Sequence, residues 1–475
     1  MLISRFQYII SDTPFSHPLD DSRIYSHNNL HIQIHSSNSK NIITEENIIF
    51  FGECFDFKNP NFSNSEIVHS LIGLKKNERI NRINKLSGQF IFLFTDHQTT
   101  TIYNDTAGQL EVFIHHTEEK FYISSEPQLI FHYTNNSQIN YKCNIPSYII
   151  EKKINIFGTT PFDGLFKLVP NFYYDVKNRK SIRFFPLEPI PIRDNKSISE
   201  TSISILESTI ESMAKRKRIA LALTGGWDSR VLFAASLKQK DNIDYYILDH
   251  KTKLCDIDVS IASRLAEALN VDLKIIGYDS SSDEFNKIHR PVLWKENINQ
   301  QKFAQLTRKT FPNHYNINGT VSEITKNFND PLPNLLSLND IGFITGVKSG
   351  TYENKVISEW MDTINDYIHI LDLIQWENKM PNWAGSVRSS TNPYLTSISP
   401  FNNRYLLSVL LSSERDQRDK YFHIIYSEIL NSIDEQLTKI PINPIRKQNW
   451  IKRMKKAGVY PLYRNILFRM RMLKI

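Results

Sequence analysis

The chain has 475 residues, of which 40% are hydrophobic and 23% charged, a composition typical of globular proteins and long enough for two hydrophobic cores. The formal net charge is +7, but residues 446–475 hold ten Lys or Arg and no acid, so the rest of the chain carries −3. Three widely spaced cysteines exclude a disulfide framework and a zinc knuckle, and no apolar run is long enough to cross a bilayer, so we expect a cytoplasmic protein.

Residues 1–140 have the pattern of a mostly β region. A helical stretch over 65–72 interrupts four runs of β-branched and aromatic residues, which predict strands at 48–51, 89–94, 100–103 and 120–123. Strands with an intervening helix predict an α+β sandwich for this half.

A glycine-rich turn follows an apolar strand at 219–222 and precedes an apolar-periodic helix at 231–235. Its sequence is Leu223-Thr224-Gly225-Gly226-Trp227-Asp228-Ser229-Arg230. The two glycines let the backbone approach an anion, the helix N-terminus favours negative charge, and Thr224 and Ser229 add hydroxyl donors. Because Asp228 would repel a phosphate without a cation between them, the turn predicts a nucleotide-phosphate site with Mg²⁺. A purely structural turn is the alternative.

Strands and helices alternate after this turn. Apolar runs at 245–248 and 271–276 predict strands, and the periodicity of 256–266 predicts a helix that Asp256 caps. This order predicts a doubly wound parallel α/β sheet, in which ligands bind at the carboxyl ends of the strands.

The glycine-rich turn resembles the pyrophosphate-binding loop of the N-type ATP pyrophosphatases, whose core reads Ser-Gly-Gly-x-Asp-Ser. Thr224 stands for the first Ser and keeps its hydroxyl, and an Arg at the position of Arg230 is common in the asparagine synthetase branch. The resemblance implies that residues 223–230, together with Ile247 on the next strand, bind ATP. It also implies an adenine nucleotide α-hydrolase-like fold for this half.

Four more segments occur in the order seen in the glutaminase domain of asparagine synthetases: Gly52-Glu53, Leu86–Phe90, Asp105–Gly108 and Ser124–Glu126. The resemblance implies an Ntn-like glutaminase domain over residues 1–150, a connector over 151–200, and a synthetase domain with a helical C-terminus over 201–475. Glutaminases of this class use a cysteine as the mature first residue, with its free amine as base. This sequence begins Met1-Leu2, so we expect a degenerate domain that does not hydrolyse glutamine.

The segment Tyr315–Glu323 stands where the family has Gly-x-Gly-x-Asp-Glu. Glu323 matches the Glu, whereas Ser322 replaces the Asp and removes one carboxylate. The resemblance implies that Asp228 and Glu323 hold Mg²⁺ and take part in catalysis. An exposed capping role is the alternative for Glu323.

Two basic residues are further candidates. Lys439 lies near the place of a family lysine that neutralises the α-phosphate, and a solvated lysine is the alternative. Arg404 follows Pro400-Phe401-Asn402-Asn403 and is a candidate for binding a substrate carboxylate, with a structural ion pair as the alternative. We expect Trp376 and Trp383 to belong to the core.

The chemistry that the resemblance implies is ATP-dependent amide formation. A substrate carboxylate attacks the α-phosphate of ATP, pyrophosphate leaves into the loop, and ammonia or an amine from outside attacks the acyl-adenylate. A sugar acid of surface-polysaccharide synthesis is our first expectation for the acid, and aspartate, giving asparagine, is the alternative. A catalytically inactive nucleotide-binding scaffold in a biosynthetic complex also stays open.

The basic tail, residues 446–475, has apolar residues near helical spacing. A basic amphipathic helix can lie on an anionic membrane surface or bind an acidic partner. The alternative is a terminal helix that packs on its own domain. No nucleic-acid-binding module is recognisable, so we expect no nucleic-acid partner.

Overall fold

The computed structural model describes residues 4–96, 99–116, 120–134, 140–249, 251–277, 293–327, 336–420, 422–442 and 448–472. The Met1-Leu2 start lies outside these residues, as do both ends of the basic tail. Within them the chain forms two six-stranded antiparallel sheets and one five-stranded parallel sheet.

The antiparallel sheets form the first half of the molecule. Their strands are β1 (Tyr8–Ser11), β2 (Ser22–His27), β3 (Leu30–His35), β4 (Ile42–Glu45), β5 (Ile48–Asp56), β6 (Leu86–Asp96), β7 (Thr99–Asn104), β8 (Phe113–His116), β9 (Phe121–Ser124), β10 (Leu165–Lys167), β11 (Phe172–Asp175) and β12 (Lys180–Arg183). The strand order is β10-β8-β9-β1-β3-β2 in one sheet and β12-β11-β7-β6-β5-β4 in the other.

The two sheets share a core. Ile10 and Ile123 from one sheet pack with Ile49 and Leu93 from the other. All nine residues of β5 are buried, because helices α1 (Asn64–His69) and α2 (Lys76–Ile83) cover its second face. The predicted α+β sandwich is therefore confirmed as an architecture of antiparallel sheets with helices.

The sandwich extends past the predicted boundary at residue 150. Strand β10 pairs with β8 in one sheet, and β11 pairs with β7 in the other. Residues 165–183 of the predicted connector therefore belong to the antiparallel sheets. Strands of three or four residues with distant partners give too little local pattern to predict them.

The second half is built on the parallel sheet of β13 (Ile219–Ala222), β14 (Ile243–Asp249), β15 (Leu273–Gly277), β16 (Tyr315–Ile317) and β17 (Thr396–Ile398). Its order is β15-β14-β13-β16-β17, and all four strand pairs are parallel. The chain thus builds outward from β13 to β15 and then returns to the other side of β13. This reversal puts a topological switch point between β13 and β16, where doubly wound sheets bind ligands.

Among the described residues, α3 (Pro127–Tyr133) and α4 (Ser147–Glu151) belong to the first half of the molecule, and most of the other helices belong to the second half. The remaining α-helices are α5 (Asn195–Arg216), α6 (Trp227–Ser236), α7 (Lys253–Ala268), α8 (Ile298–Thr310), α9 (Leu338–Thr345), α10 (Thr351–Met361), α11 (Ile370–Ile374), α12 (Ser386–Thr391), α13 (Arg404–Leu411), α14 (Ile424–Ile433), α15 (Gln436–Lys439), α16 (Gln448–Lys456) and α17 (Tyr460–Met472). Residues 320–325 form a 3₁₀ helix, and residues 375–385 contain two π-helical turns. Helix α7 begins three residues before Asp256, and Thr252 rather than Asp256 caps it.

The segments that resemble glutaminase motifs join the two halves. Asn402 Nδ2 donates to Asp105 Oδ1 (2.9 Å) and to the carbonyl of Gly88. Trp376 Nε1 donates to Thr106 O at 2.7 Å, and its ring is fully buried. Trp383, expected in the core, is instead 52% exposed. The backbone there is π-helical, which changes the face on which each side chain lies.

A buried carboxylate lies near this interface. Glu126 accepts hydrogen bonds from Ser389 Oγ (2.5 Å) and from the backbone N–H of Trp294 (2.8 Å). Burial and then the nearby Glu111 raise the pKa of Glu126 to about 8, although Lys167 opposes the shift. The folded chain therefore holds a proton on Glu126 that the unfolded chain loses near pH 4.5.

We expect the free energy of unfolding to fall as the pH rises from about 5 to 8, because Glu126 has its higher pKa in the folded state. Glu126→Gln keeps the shape without the charge and should flatten this pH dependence, at about 1.4 kcal/mol for each pKa unit removed. Urea denaturation at pH 5 and pH 8 measures it, with the exposed Glu200→Gln as control. An unchanged pH slope in Glu126→Gln would contradict the assignment.

The basic tail packs on its own domain along part of its length. Phe468 meets Phe343 edge-on with ring centroids 5.0 Å apart, and Arg469 Nη1 lies 2.5 Å from Asp340 Oδ1. Leu462, Ile466 and Met470 remain exposed. This packing agrees with the terminal-helix alternative, and binding to a membrane or an acidic partner stays a prediction. None of the described helices combines the length and apolar character of a membrane span.

Candidate functional site

The glycine-rich loop lies at the carboxyl end of β13, beside the switch point. The N–H of Leu223 donates to Tyr246 O (2.8 Å), which ties the start of the loop to β14. Helix α6 begins at Trp227 with Gly226 as its N-cap, and no side chain caps it. The first amides of a helix have no intrahelical acceptor, so this terminus presents N–H groups to a ligand.

The loop is held by hydrogen bonds of its own. Thr224 Oγ1 and Ser229 Oγ lie 2.8 Å apart, and the N–H of Thr224 also reaches Ser229 Oγ (3.2 Å). The N–H of Gly225 donates to Asp258 Oδ1 on α7 (3.1 Å). A Cβ at Gly225 would lie 2.7 Å from that same oxygen, so the Asp258 carboxylate would have to move to accommodate a side chain there. Asp258 is a site residue that the sequence prediction missed.

Four side chains meet at the switch point. Asp228 Oδ1 accepts from the hydroxyl of Ser322, and Asp228 Oδ2 lies 2.5 Å from the ammonium of Lys326. The same ammonium lies 2.6 Å from Glu323 Oε1. The structure thus brings the predicted residues Asp228 and Glu323 into one cluster with Ser322 and adds Lys326, which is 7% exposed and was not predicted.

An aromatic wall encloses this cluster. His423 and Tyr426 stack with ring centroids 3.8 Å apart, and both are fully buried. Burial, followed by the charges of Lys326 and Arg418, lowers the pKa of His423 well below its usual value, so the ring is neutral. Lys326 has a raised pKa because Asp228 and Glu323 together outweigh the effect of burial.

Gly319 sets the distance between the two segments of the site. A Cβ at this position would lie 2.4 Å from the Cβ of Asp228, closer than real contacts allow. Only glycine therefore lets the 3₁₀ helix of residues 320–325 approach the start of α6.

We expect Gly319→Ala to push Asp228 away from Ser322 and to cost about 1–3 kcal/mol of stability through overpacking. Thermal unfolding measures the cost. Gly277→Ala is the control, because nothing among the described residues lies within 4 Å of its added Cβ. Equal stability of the two variants would contradict the close contact between Gly319 and Asp228.

The predicted Mg²⁺ site does not have the arrangement of a metal centre. Lys326 already contacts both carboxylates, and burial together with Asp228 raises the pKa of Glu323. No group of three or more His, Cys, Asp or Glu residues in the described part of the chain is placed to hold a metal ion. As arranged, Asp228 and Glu323 fit a bound ammonium and not a divalent cation between them.

Three other predicted ATP ligands are part of the packed interior. Arg230 is fully buried and donates to the carbonyls of residues 437, 440 and 441 at 2.7–2.8 Å. Trp227 and Ile247 are 7% and 3% exposed, and both belong to the main core. The guanidinium of Arg230 is thus bound to backbone carbonyls and not open to an anion.

The two remaining candidates have partners other than the cluster at the switch point, and Arg404 binds neutral acceptors in place of the ion pair that was its alternative. Lys439 Nζ is 2.9 Å from Glu435 Oε1, with 64% of its side chain exposed. Arg404 is fully buried and donates from Nε to Asn171 Oδ1 (3.2 Å) and from Nη2 to Asn104 O (3.3 Å). Arg404 joins the halves of the molecule, and the catalytic role of Lys439 stays a prediction.

No protein-family model and no curated protein matches the chain significantly. Among solved structures, the glutamine-dependent NAD⁺ synthetase from Acinetobacter baumannii is 14% identical at a TM-score of 0.20, over 34% of this chain and 36% of that enzyme. The phosphoribosylpyrophosphate amidotransferase from B. subtilis is 12% identical at 0.25, over 66% and 75%. The NH₃-dependent NAD synthetase from Campylobacter jejuni is 16% identical at 0.19, over 37% and 76%. Scores this low carry no argument about the activity of this chain.

Proposed function

We propose that the chain is an ATP-dependent amide-forming ligase of the asparagine synthetase type. One observation carries the proposal: the Thr224–Ser229 loop ends at an uncapped helix N-terminus at the switch point, directly beside Asp228, Ser322 and Glu323. Backbone N–H groups at such a place suit the pyrophosphate of ATP. The fold proposed with it is an Ntn-like sandwich followed by an adenine nucleotide α-hydrolase-like domain.

The reaction that we propose makes an acyl-adenylate. A substrate carboxylate attacks the α-phosphorus of ATP, the bond to the β-phosphate oxygen breaks, and pyrophosphate leaves into the loop. An amine nitrogen then attacks the acyl carbon, and AMP leaves. The N–H groups of the loop and the ammonium of Lys326 are held in place before the reaction. They would stabilise the negative charge that develops on the leaving pyrophosphate. In this scheme an arriving phosphate displaces Asp258 from the N–H of Gly225.

We propose that the amine or ammonia comes from outside the protein. Cys54 is fully buried and burial raises its pKa, so it is a poor nucleophile. Cys255 is also buried, and its thiol donates to Leu248 O at 3.0 Å. Glutamate release from glutamine that depends on the purified protein would contradict this part of the proposal.

Pyrophosphate and AMP formation from ATP is the decisive measurement. The purified chain is incubated with ammonium and, in turn, sugar acids and aspartate, and both products are quantified. We expect one acid class to give equal amounts of pyrophosphate and AMP, with sugar acids ahead of aspartate. ATP binding without pyrophosphate release for any acid would favour the nucleotide-binding scaffold.

A further inference from the structure

Two carboxylates, those of Asp228 and Glu323, lie close together at the switch point, and their negative charge must be neutralised. Asp228 and Glu323 lie on different elements, 95 residues apart, yet both contact one ammonium group. Two carboxylates held this close repel each other unless a cation lies between them. Ser322 binds the other oxygen of Asp228 but brings no charge.

We propose that Lys326 is the built-in cation of this site, and that its ammonium takes the place of a divalent metal ion between Asp228 and Glu323. Both contacts have the short distances of charge-assisted hydrogen bonds, 2.5 and 2.6 Å. The side chain is 7% exposed, so water screens these contacts little.

Asp228 and Glu323 are the carboxylates that contact the ammonium of Lys326, and the other groups around it in the described part of the chain bring no further negative charge. The stacked His423 and Tyr426 rings form the wall, and His423 is neutral. Arg418, the next cation, binds Asp372 at 2.9 Å and the carbonyl of Thr325 at 3.0 Å. It therefore has a carboxylate of its own and does not compete for Asp228.

This inference rests on the proposed function and sharpens it. A nucleotide bound at the loop would lie beside the ammonium of Lys326, which is held by Asp228. The two carboxylates would then need no divalent ion to neutralise them. The magnesium that accompanies ATP in solution would then bind through the phosphates alone.

Manganese binding by the full chain without nucleotide tests the proposal, with the electron paramagnetic resonance signal of free Mn²⁺ as readout. The wild type should bind no Mn²⁺ at this site up to about 1 mM. Lys326→Met, which leaves two facing carboxylates, should gain a site at least tenfold tighter, and adding Glu323→Gln should remove it again. Lys455→Met is the control, because Lys455 pairs with the single carboxylate of Asp419.

A Mn²⁺ site in the wild type that Glu323→Gln abolishes would overturn the proposal, and so would a folded Lys326→Met that gains no site. If Lys326→Met does not fold, the wild-type measurement decides alone. Failure of ATP to bind would instead count against the proposed function, because Mn²⁺ binding is measured without nucleotide.

A cavity elsewhere in the molecule carries a second inference. It has a volume of about 410 Å³, and residues of both halves line it, among them Lys153, Lys167, Lys295, Lys379 and Glu111. Lys167 forms an ion pair with Glu111. The side-chain ammonium groups of Lys295 and Lys379 make no hydrogen bond or ion pair with the described residues, and burial, aided by neighbouring lysines, lowers the pKa of both. The cavity therefore has an excess of positive charge.

Trp294, which is buried, and Trp383 are among the residues that line this cavity. Lys153 donates to Trp294 O at 2.6 Å and lies 4.9 Å from the centroid of the Trp294 ring. Trp383, whose exposure contradicted the sequence prediction, also lines it. An exposed indole in a concave cationic site offers a flat apolar face beside charged donors.

We infer that this cavity binds a small organic anion with a ring, of the chemistry of a hydroxylated cyclic carboxylate. The exposed indole of Trp383 contacts the ring, and Lys295 and Lys379 neutralise the carboxylate. Galacturonate belongs to the sugar-acid class of the proposed function, but its binding is measured without ATP and is therefore tested apart from the ligase activity.

Calorimetric titration of the full chain with galacturonate, and with galactose as its neutral counterpart, tests the inference. We expect saturable galacturonate binding at least tenfold tighter than that of galactose. The double variant Lys295→Ala/Lys379→Ala should lose it at least tenfold, whereas Lys196→Ala/Lys355→Ala, which removes two exposed lysines, should not. Equal binding of both sugars, or no saturation up to about 10 mM galacturonate, would overturn the inference.

Discussion

Asp228→Asn is expected to lower ATP-dependent pyrophosphate release at least a hundredfold, with little change in the folded structure. Asp228 fixes Ser322 and Lys326 at the start of α6, and the neutral amide cannot hold the ammonium with a charge-assisted bond. Lys326 would then turn to Glu323 alone and leave the phosphate site. Removing a group that positions charge at a reacting phosphate costs several kcal/mol of transition-state stabilisation.

Asp244→Asn is the matched control for this variant. Asp244 lies on β14 near the amino edge of the same sheet and binds Arg218 and His314, so its loss should not affect the loop. Circular dichroism of both variants verifies the fold. Pyrophosphate release by Asp228→Asn at the wild-type rate would contradict the assignment of the site.

Glu377→Ala is expected to cost about 3–5 kcal/mol of stability, because it removes one partner of a buried ion pair. Glu377 accepts hydrogen bonds from Arg183 (2.5 and 2.8 Å), Trp360 Nε1 (2.8 Å) and Asn171 Nδ2 (3.0 Å). Its side chain is fully buried, and that of Arg183 is 10% exposed. The variant leaves the guanidinium of Arg183 without its carboxylate and the indole N–H of Trp360 without its acceptor, at the junction of the two halves.

Urea denaturation measures this loss. Glu211→Ala, which breaks an exposed pair with Lys215 one helical turn away, should cost less than about 1 kcal/mol. Glu377→Gln should fall between the two, because its carbonyl oxygen still accepts hydrogen bonds. If Glu377→Ala lowers the free energy of unfolding no more than Glu211→Ala does, the buried ion pair of Glu377 does not stabilise the junction of the two halves.

Local patterns were enough to predict the part of the fold around the loop. Strand 219–222 has the predicted bounds, and the strands at 48–51, 89–94, 100–103 and 120–123 all lie within or overlap observed strands. Each of these signals comes from neighbouring residues, a run of apolar side chains followed by a turn. The parallel sheet followed from the alternation of strands and helices.

The sequence alone did not predict contacts between residues that lie far apart in the chain. Lys326 lies three residues after Glu323, but its second carboxylate is 98 residues earlier in the chain, and no periodicity connects them. Arg404 and Arg230 look like ligands of anions because arginine often is one. Only the folded chain shows that carbonyl and amide oxygens surround them.

The contacts of Arg230 constrain the order in which the protein can be completed. Its guanidinium stands two residues after Asp228, and its acceptors are the carbonyls of Leu437, Ile440 and Pro441, more than 200 residues later. A ribosome makes those acceptors long after α6, so the start of α6 lacks these contacts until residues 437–441 have been made. The glycine-rich loop therefore gains its final support only after residues 437–441 have been made, which couples the folding of the loop to a distant segment of the chain.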